Sequence, residues 1–262
     1  MKIDFHTHVK LTTPVPYSQP YAEAMLRGAK AAGLDTICVT EHYNSSGLDS
    51  VYRFLEDSCG KDGDCYIFEG LRIFPGIEVD IAESGHILTI GPLDEIMQVH
   101  KELCERGRKK EHPPFAALLE IIKRPSLLIG GAHPFRPEKG SLLNLSDEWV
   151  SQLDYVELSG RDIAYDKKGI ENNTAQLAAR VGLPIIAGSD SHYPFQYGCV
   201  FNKFQAAHTT VAALKKAIAA GAYTVEYSEF GARQGAMAAQ MKKALLKIHE
   251  LGGDYAWLCK GE

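Results

Sequence analysis

The six cysteines, Cys38, Cys59, Cys65, Cys104, Cys199 and Cys259, include no CxxC pair. That absence argues against both a zinc ribbon and a disulfide framework. Cys38 falls inside an apolar run and reads as a small buried hydrophobe. No stretch of about 18 apolar residues occurs, so nothing in the chain reads as a membrane span. The opening Met1-Lys2-Ile3-Asp4-Phe5-His6 lacks the apolar core of a signal peptide. A cytoplasmic protein with reduced thiols is the expectation. A basic excess is also missing: 28 Lys and Arg face 33 Asp and Glu, for a net charge of −5. This argues against a general nucleic-acid binder but permits a short phosphorylated substrate, for which one local basic pocket is enough. No repeat, low-complexity tract or charge-rich linker breaks the 262 residues. They read as one domain, with residues 205–262 as a helical closure at the C-terminal end.

Short apolar runs alternate with helical patterns. The runs are residues 2–5, 36–40, 73–79, 87–90, 127–130, 155–158 and 184–187, and their Ile and Val content suits buried strands. Between them, 3.6-residue periodicity predicts helices over 21–32, 50–57, 94–106, 115–123, 170–181, 211–220 and 240–251. Several are punctuated by Gly33, Gly182, Gly221 or Gly252. Strand–helix alternation implies an α/β fold with a mostly parallel sheet, closed or nearly closed into a barrel, with a doubly wound open sheet as the competitor. One connection departs from the pattern. Between Val79 and Ile87 there is no room for a parallel crossover, so an antiparallel hairpin through Ala82-Glu83-Ser84-Gly85 is expected. That hairpin would bring Glu78 and His86 together.

Nearly every strand candidate delivers a histidine or carboxylate near its C-terminal end, the active face of (β/α) barrels. His6 and His8 follow the first run, Glu41 and His42 the second. Glu78 ends the third and is answered by His86. His133, Glu157, and the Asp190/His192 pair follow in order. Six of the ten histidines belong to this set; His100, His112, His208 and His249 do not and read as ordinary polar residues. Imidazole and carboxylate without thiolate suit zinc, manganese or iron. Eight ligand candidates, His6, His8, His42, Glu78, His86, His133, Asp190 and His192, exceed what one tetrahedral ion uses. Two or three divalent ions fit better, with Glu78 as the bridging carboxylate. A buried hydrogen-bonded network without metal would leave many desolvated imidazoles needing partners.

His6-Thr7-His8, Thr40-Glu41-His42, Pro75-Gly76-Ile77-Glu78, Gly85-His86-Ile87-Leu88, Ala132-His133-Pro134 and Ser189-Asp190-Ser191-His192 together resemble the PHP family, the polymerase and histidinol phosphatase domain. The resemblance covers residues 1–192. It implies a distorted seven-stranded, TIM-like (β/α)7 barrel holding up to three metals. By motif, His6, His8, Glu78 and Asp190 match a first site, Glu78, His86 and His133 a second, and His42 and His192 a third. Residues 9–14 supply no further third-site ligand, and Glu41-His42 stands where Asp-His is common in the family. Beyond about residue 205 no family motif is recognisable.

The implied function is metal-dependent hydrolysis of a small phosphate ester or a nucleotide or short oligonucleotide phosphate, by a hydroxide bridging the first two ions. His192 or His42 would protonate the leaving oxygen. Arg136 and Arg161 would bind phosphate, with Lys10 and Tyr17 in the loop after the first strand reaching over the site. Glu157 would either orient a ligand or bind metal. Two alternatives remain open: hydrolysis of a non-phosphate ester or amide with the same metal device, and a non-catalytic module that keeps metals for structure. Nothing in the sequence calls for an obligate protein partner.

Overall fold

A computed structural model describes residues 1–106, 112–137 and 140–259. In chain order the elements are β1 (Lys2–Thr7), α1 (Gln19–Ala31), β2 (Thr36–His42), α2 (Leu48–Ser58), β3 (Gly60–Asp62), β4 (Cys65–Phe68) and β5 (Leu71–Asp80). Then come β6 (His86–Ile90), α3 (Leu93–Arg106), α4 (Phe115–Ile122), β7 (Leu128–Gly131), α5 (Asp147–Val150), β8 (Tyr155–Ser159) and α6 (Gly160–Val181). The chain ends with β9 (Ile185–Gly188), β10 (Val200–Phe204), α7 (Val211–Ala219), β11 (Tyr223–Tyr227) and α8 (Gly231–Glu250). The expected closing segment, 205–262, thus contains two helices and a strand; its residues 260–262 lie outside the described residues. All six cysteines are free. Among the described residues no helix is long and apolar enough to cross a membrane.

The strands form one mixed, nearly closed barrel with flanking helices. Its main path runs β11-β10-β1-β2-β5-β6-β7-β8-β9, with β3 and β4 branching off β5. The expectation of a mostly parallel sheet needs correction. The β1–β2, β2–β5, β7–β8 and β8–β9 ladders are parallel, but β5–β6, β6–β7, β1–β10 and β10–β11 are antiparallel. For the two ladders of β6 the cause is the short hairpin. Strand β6 cannot cross over in so few residues and returns antiparallel to β5, which opposes it to β7 as well. Strands β10 and β11 contain no continuous apolar run, and β3 has no buried residue.

Apolar residues near the starts of the parallel strands, among them Ile3, Cys38, Phe74, Tyr155 and Ile186, form one buried cluster that α7 seals with Val211, Leu214 and Ile218. The opposite ends of the same strands carry the polar residues. The β1–β2 ladder shifts register between Asp4 and Thr7, where the chain passes from Ile3 and Phe5 to His6 and His8.

The sheet comes nearest to closure where β9 meets β1. At the site end, Asp190 N donates to His6 O at 2.8 Å and His8 N to Ser191 O at 3.0 Å. Lower down, the fully buried Asn202 of β10 fills the seam with its side-chain amide. It donates to Ile3 O at 3.2 Å and Ala187 O at 2.7 Å, and accepts from Ala187 N at 2.9 Å. Removing that amide strands three buried backbone groups, each costing about 1–3 kcal/mol if left unpaired. Asn202→Ala should therefore lower the unfolding free energy by about 3 kcal/mol in urea titrations. A loss under about 0.5 kcal/mol would show that the seam does not depend on this side chain.

Candidate metal centre

The strand ends bring His6, His8, His42, Glu78, His86, His133 and Asp190 into one connected set. Overlapping groups of three within it place ligand atoms within 4.8 Å of one another. Glu78 is at the centre. Its Oε2 lies 3.3 Å from the Nε2 atoms of His6, His8 and His42. Its Oε1 lies 2.7 Å from His86 Nδ1 and 3.2 Å from His133 Nε2. The hairpin expected from connection length accounts for the His86 contact, since β5 and β6 pair with Asp80 opposite His86.

Four of these atoms fit a metal ion closely. His6 Nε2 and His8 Nε2 are 3.2 Å apart, and each is 3.3 Å from Glu78 Oε2. Asp190 Oδ1 is 3.3 Å from His8 Nε2 and 3.8 Å from His6 Nε2. Ligands about 2.0 Å from a tetrahedral ion lie about 3.3 Å from one another. Two imidazole nitrogens facing each other across that distance are poorly explained by a hydrogen bond alone and well explained by a shared cation. Glu78 Oε1, His86 and His133 form a second group, and His42, Asp80 and His86 a third.

The surrounding residues set the tautomers. His6 Nδ1 lies 2.8 Å from Glu157 Oε1, and His133 Nδ1 lies 2.9 Å from Gly140 O. Both partners are acceptors, so each ring donates there, which leaves Nε2 as the nitrogen that would be offered to a metal beside Glu78. Glu157 also accepts the His133 N–H at 2.7 Å. It therefore orients two candidate ligands from a position beside them. Glu41 accepts Val9 N at 2.6 Å and Lys10 N at 2.9 Å and stands 3.5 Å from His8 Nδ1. His133 and Asp190 adopt left-handed backbone, with φ of 28° and 54°. Such conformations cost about 1–3 kcal/mol and gather at functional sites. Gly188 leaves the necessary room, since a Cβ there would meet Glu157 Oε1 at 2.2 Å and His6 Cβ at 2.4 Å.

Burial opposes charge here, and the partners decide the outcome. Burial alone would raise Glu78 and Asp190. His42, His6 and His86 instead hold Glu78 well below the usual carboxylate range, and Arg136, His6 and His8 do the same for Asp190. Burial would lower His8 and His86, but carboxylates hold them up at about 10 and about 9. His6 is likewise raised, chiefly by Glu157 and Glu78 against burial. His133 is pulled down to about 3 by burial and Arg136. His192 is lowered by burial, Lys242 and His8.

Other expected positions are placed differently. His192 joins none of the ligand groups found among the described residues. Its ring stacks on His8 at 4.2 Å, and its Nδ1 turns to Asp190 O at 3.2 Å. The groups that contain His42 join it to His8 and Glu78 and to Asp80 and His86. Arg136, expected to face phosphate, pairs with Asp190 Oδ2 at 2.8 Å and Asp162 Oδ1 at 2.9 Å. Its fork is largely committed to holding carboxylates. Arg161 reaches Asp190 Oδ2 at 3.3 Å and remains 41% exposed. Lys10 does not reach over the site; it is buried against Ser45, Ser46 O and Thr13 O. Tyr17 packs beside Gly47, with its hydroxyl buried.

Two residues near the centre were not anticipated. Asp80 lies two positions after Glu78 on β5, hence on the same strand face. It meets His86 Nε2 at 3.0 Å and His42 Nδ1 at 3.3 Å. The period-2 spacing was the available signal. Lys242 comes from α8 and lines a cavity with Arg161, Asp190 and His192. Burial pulls its ammonium down to about 8. Nothing local in the sequence marks it.

A family model described as PHP-associated matches residues 169–223. The match extends past residue 205, so the expectation that no family feature lies beyond that point is corrected. The chain is 25% identical over 211 residues to a protein of Acetivibrio thermocellus described as a probable phosphatase, covering 75% of this chain and 81% of that protein. Among solved structures, PsfC from Pseudomonas syringae PB-5123 aligns with a TM-score of 0.74 at 20% identity, over 93% of this chain and 98% of that one. A lesion-specific endonuclease from Pyrococcus furiosus aligns with a TM-score of 0.65 at 20% identity, over 86% of this chain and 57% of that one. These two likenesses concern the fold.

Because His6, His8 and His86 are raised, they carry protons at pH 7 when no metal is bound. An ion needs their lone pairs, so loading must expel protons and affinity must weaken as pH falls. Calorimetry of zinc binding at pH 7 in buffers of differing ionisation enthalpy should show proton release, up to three per chain when His6, His8 and His86 all take up metal. No release would contradict this protonation pattern. The PHP-associated match and the clusters of histidine and carboxylate typical of PHP-domain phosphoesterases bear out the resemblance to the PHP family.

Proposed function

We propose that this chain is a metal-dependent phosphoesterase acting on a small phosphate ester or on a nucleotide or short oligonucleotide phosphate. The observation that carries the reading is the group of His6, His8, Glu78 and Asp190, in which the two imidazole Nε2 atoms are 3.2 Å apart and each lies 3.3–3.8 Å from Glu78 Oε2 and Asp190 Oδ1, with cationic donors beside it. The likeness to a probable phosphatase supports the same chemistry. We also read β1, β2, β5, β6, β7, β8 and β9 as a seven-stranded ring, with β10 and β11 as an extension. The backbone bonds joining the β9 end to β1 support this count. The cytoplasm, where its free thiols would stay reduced, is the location we favour.

In this reading His6, His8, Glu78 and Asp190 hold one divalent ion, and Glu78, His86 and His133 a second. Asp80, His42 and His86 offer a third position. Zinc, manganese or iron suits the donor set. When bound, such ions supply Lewis acidity and an activated water. The protein's own groups do the remainder. Glu78 offers one oxygen to each side, so one buried negative charge serves two ligand groups. Arg136 fixes Asp190 from behind and keeps it ionised. Glu157 holds His6 in the tautomer that presents Nε2. Arg161 keeps donors free for an anionic group of the substrate. His42 is 18% exposed with Asp80 behind its Nδ1, and where it is not committed to a third ion it would pass a proton to a leaving oxygen. His192, held neutral by burial and its cationic neighbours, serves as a lone-pair or N–H group at the mouth.

With manganese or zinc supplied, the protein should cleave p-nitrophenyl phosphate or its diester and leave p-nitrophenyl acetate intact. Turnover of the acetate alone would refute the phosphate reading. Glu157→Gln should keep the fold by circular dichroism while metal affinity or activity drops about 10- to 100-fold. A variant with unchanged affinity and activity would remove Glu157 from this scheme.

A further inference from the structure

The cavity beside the metal centre is bounded by α8. It has a volume of about 230 Å³, and its lining includes Arg161, Asp190, His192, Lys242, Tyr165 and Leu246. Drug-sized ligands occupy pockets of roughly 300–1,000 Å³, so this space suits a small metabolite. Three cations line it; Lys243 is exposed, and the two less exposed come from separate elements, Arg161 from the first turn of α6 and Lys242 from the middle of α8.

Their charges are not used up within the protein. Asp190 Oδ2 is already met by Arg136 at 2.8 Å, and its Oδ1 by His8 at 3.3 Å. Arg161 adds only one longer contact to that carboxylate, at 3.3 Å. A guanidinium has five N–H donors, so most of its fork is left over. Among the described residues Lys242 has no carboxylate within salt-bridge distance; Asp190 acts on it only from further off. A half-buried ammonium with no paired carboxylate is free to answer an anionic ligand. Ala238, Leu246 and Tyr165 supply an apolar wall next to the two cations.

We propose that Arg161 and Lys242 form an anion-binding pair that recognises a second anionic group, phosphate or carboxylate, on a small phosphate ester whose scissile phosphate sits at the metal centre. The inference rests on the phosphoesterase reading and narrows its substrate class. Arg161 offers a planar fork and Lys242 a point charge, a combination suited to either oxyanion. The apolar wall would take the carbon skeleton between the two anionic groups. A phosphate ester with a neutral leaving group would leave Lys242 unanswered.

The test uses metal-loaded protein and phosphonates, which are not hydrolysed, so binding is read apart from turnover. Calorimetry compares methylphosphonate with phosphonopropionate and propylenebisphosphonate, with metal content checked after each titration. One or both doubly anionic probes should bind about 10- to 100-fold more tightly than methylphosphonate, and their order tells a carboxylate from a phosphate partner. Lys242→Gln should collapse that ratio to near one, and Lys242→Arg should retain most of it. A wild-type ratio near one, or a ratio unchanged in Lys242→Gln, would overturn the proposal. If the wild type still cleaves phosphate esters in either case, the parent reading survives. A protein that binds no phosphonate and cleaves no phosphate ester overturns both.

Discussion

One ionised carboxylate held among five imidazoles governs this end of the barrel. Glu78 is buried, and burial alone would protonate it. It stays charged because His6, His8 and His42 bear on one oxygen and His86 and His133 on the other. Without a cation the arrangement must be held together by protons, and the raised His6, His8 and His86 are the sign of that. Metal ions would take the place of those protons and give each lone pair a directed partner, and the spacing near 3.3 Å suits ligands of one ion.

The geometry is expensive to maintain, and the fold supplies its supports locally. Two candidate ligands, His133 and Asp190, sit in left-handed backbone. Hydrogen bonds from Asp190 N to His6 O and from His133 N to Glu157 over-determine those turns. Glu157 and Arg136 each tie two polar groups of the site together. On the opposite side of the barrel, apolar side chains under α7 provide the rigid floor. Asn202 completes the closure with an amide that imitates backbone where β9 and β1 are not paired.

Much of this was legible in the sequence because its signals are local. Apolar runs located the central strands, and a count of connecting residues gave the antiparallel β5–β6 hairpin and the meeting of Glu78 with His86. The sheet departs from mostly parallel because that hairpin sets β6 against both β5 and β7 and because β10 and β11 add two further antiparallel ladders. Asp80 was missed although its spacing from Glu78 put it on the same face. Strands β10 and β11 were missed because half-buried alternating strands lack an apolar run. The commitment of Arg136 to Asp162 and Asp190, and of Lys10 to Ser45 and Ser46 O, depends on residues 26 to 54 positions away. Lys242 depends on how α8 packs on α6. No pattern within a window of sequence contains those contacts.

The central claim is that Glu78 lies between two cation positions. Anomalous diffraction from crystals loaded with zinc or manganese tests it most directly. Two peaks are expected on either side of this carboxylate, each about 2.0–2.2 Å from one of its oxygens, the first also touching His6, His8 and Asp190. Ions found elsewhere, with Glu78 touching none of them, would contradict the account.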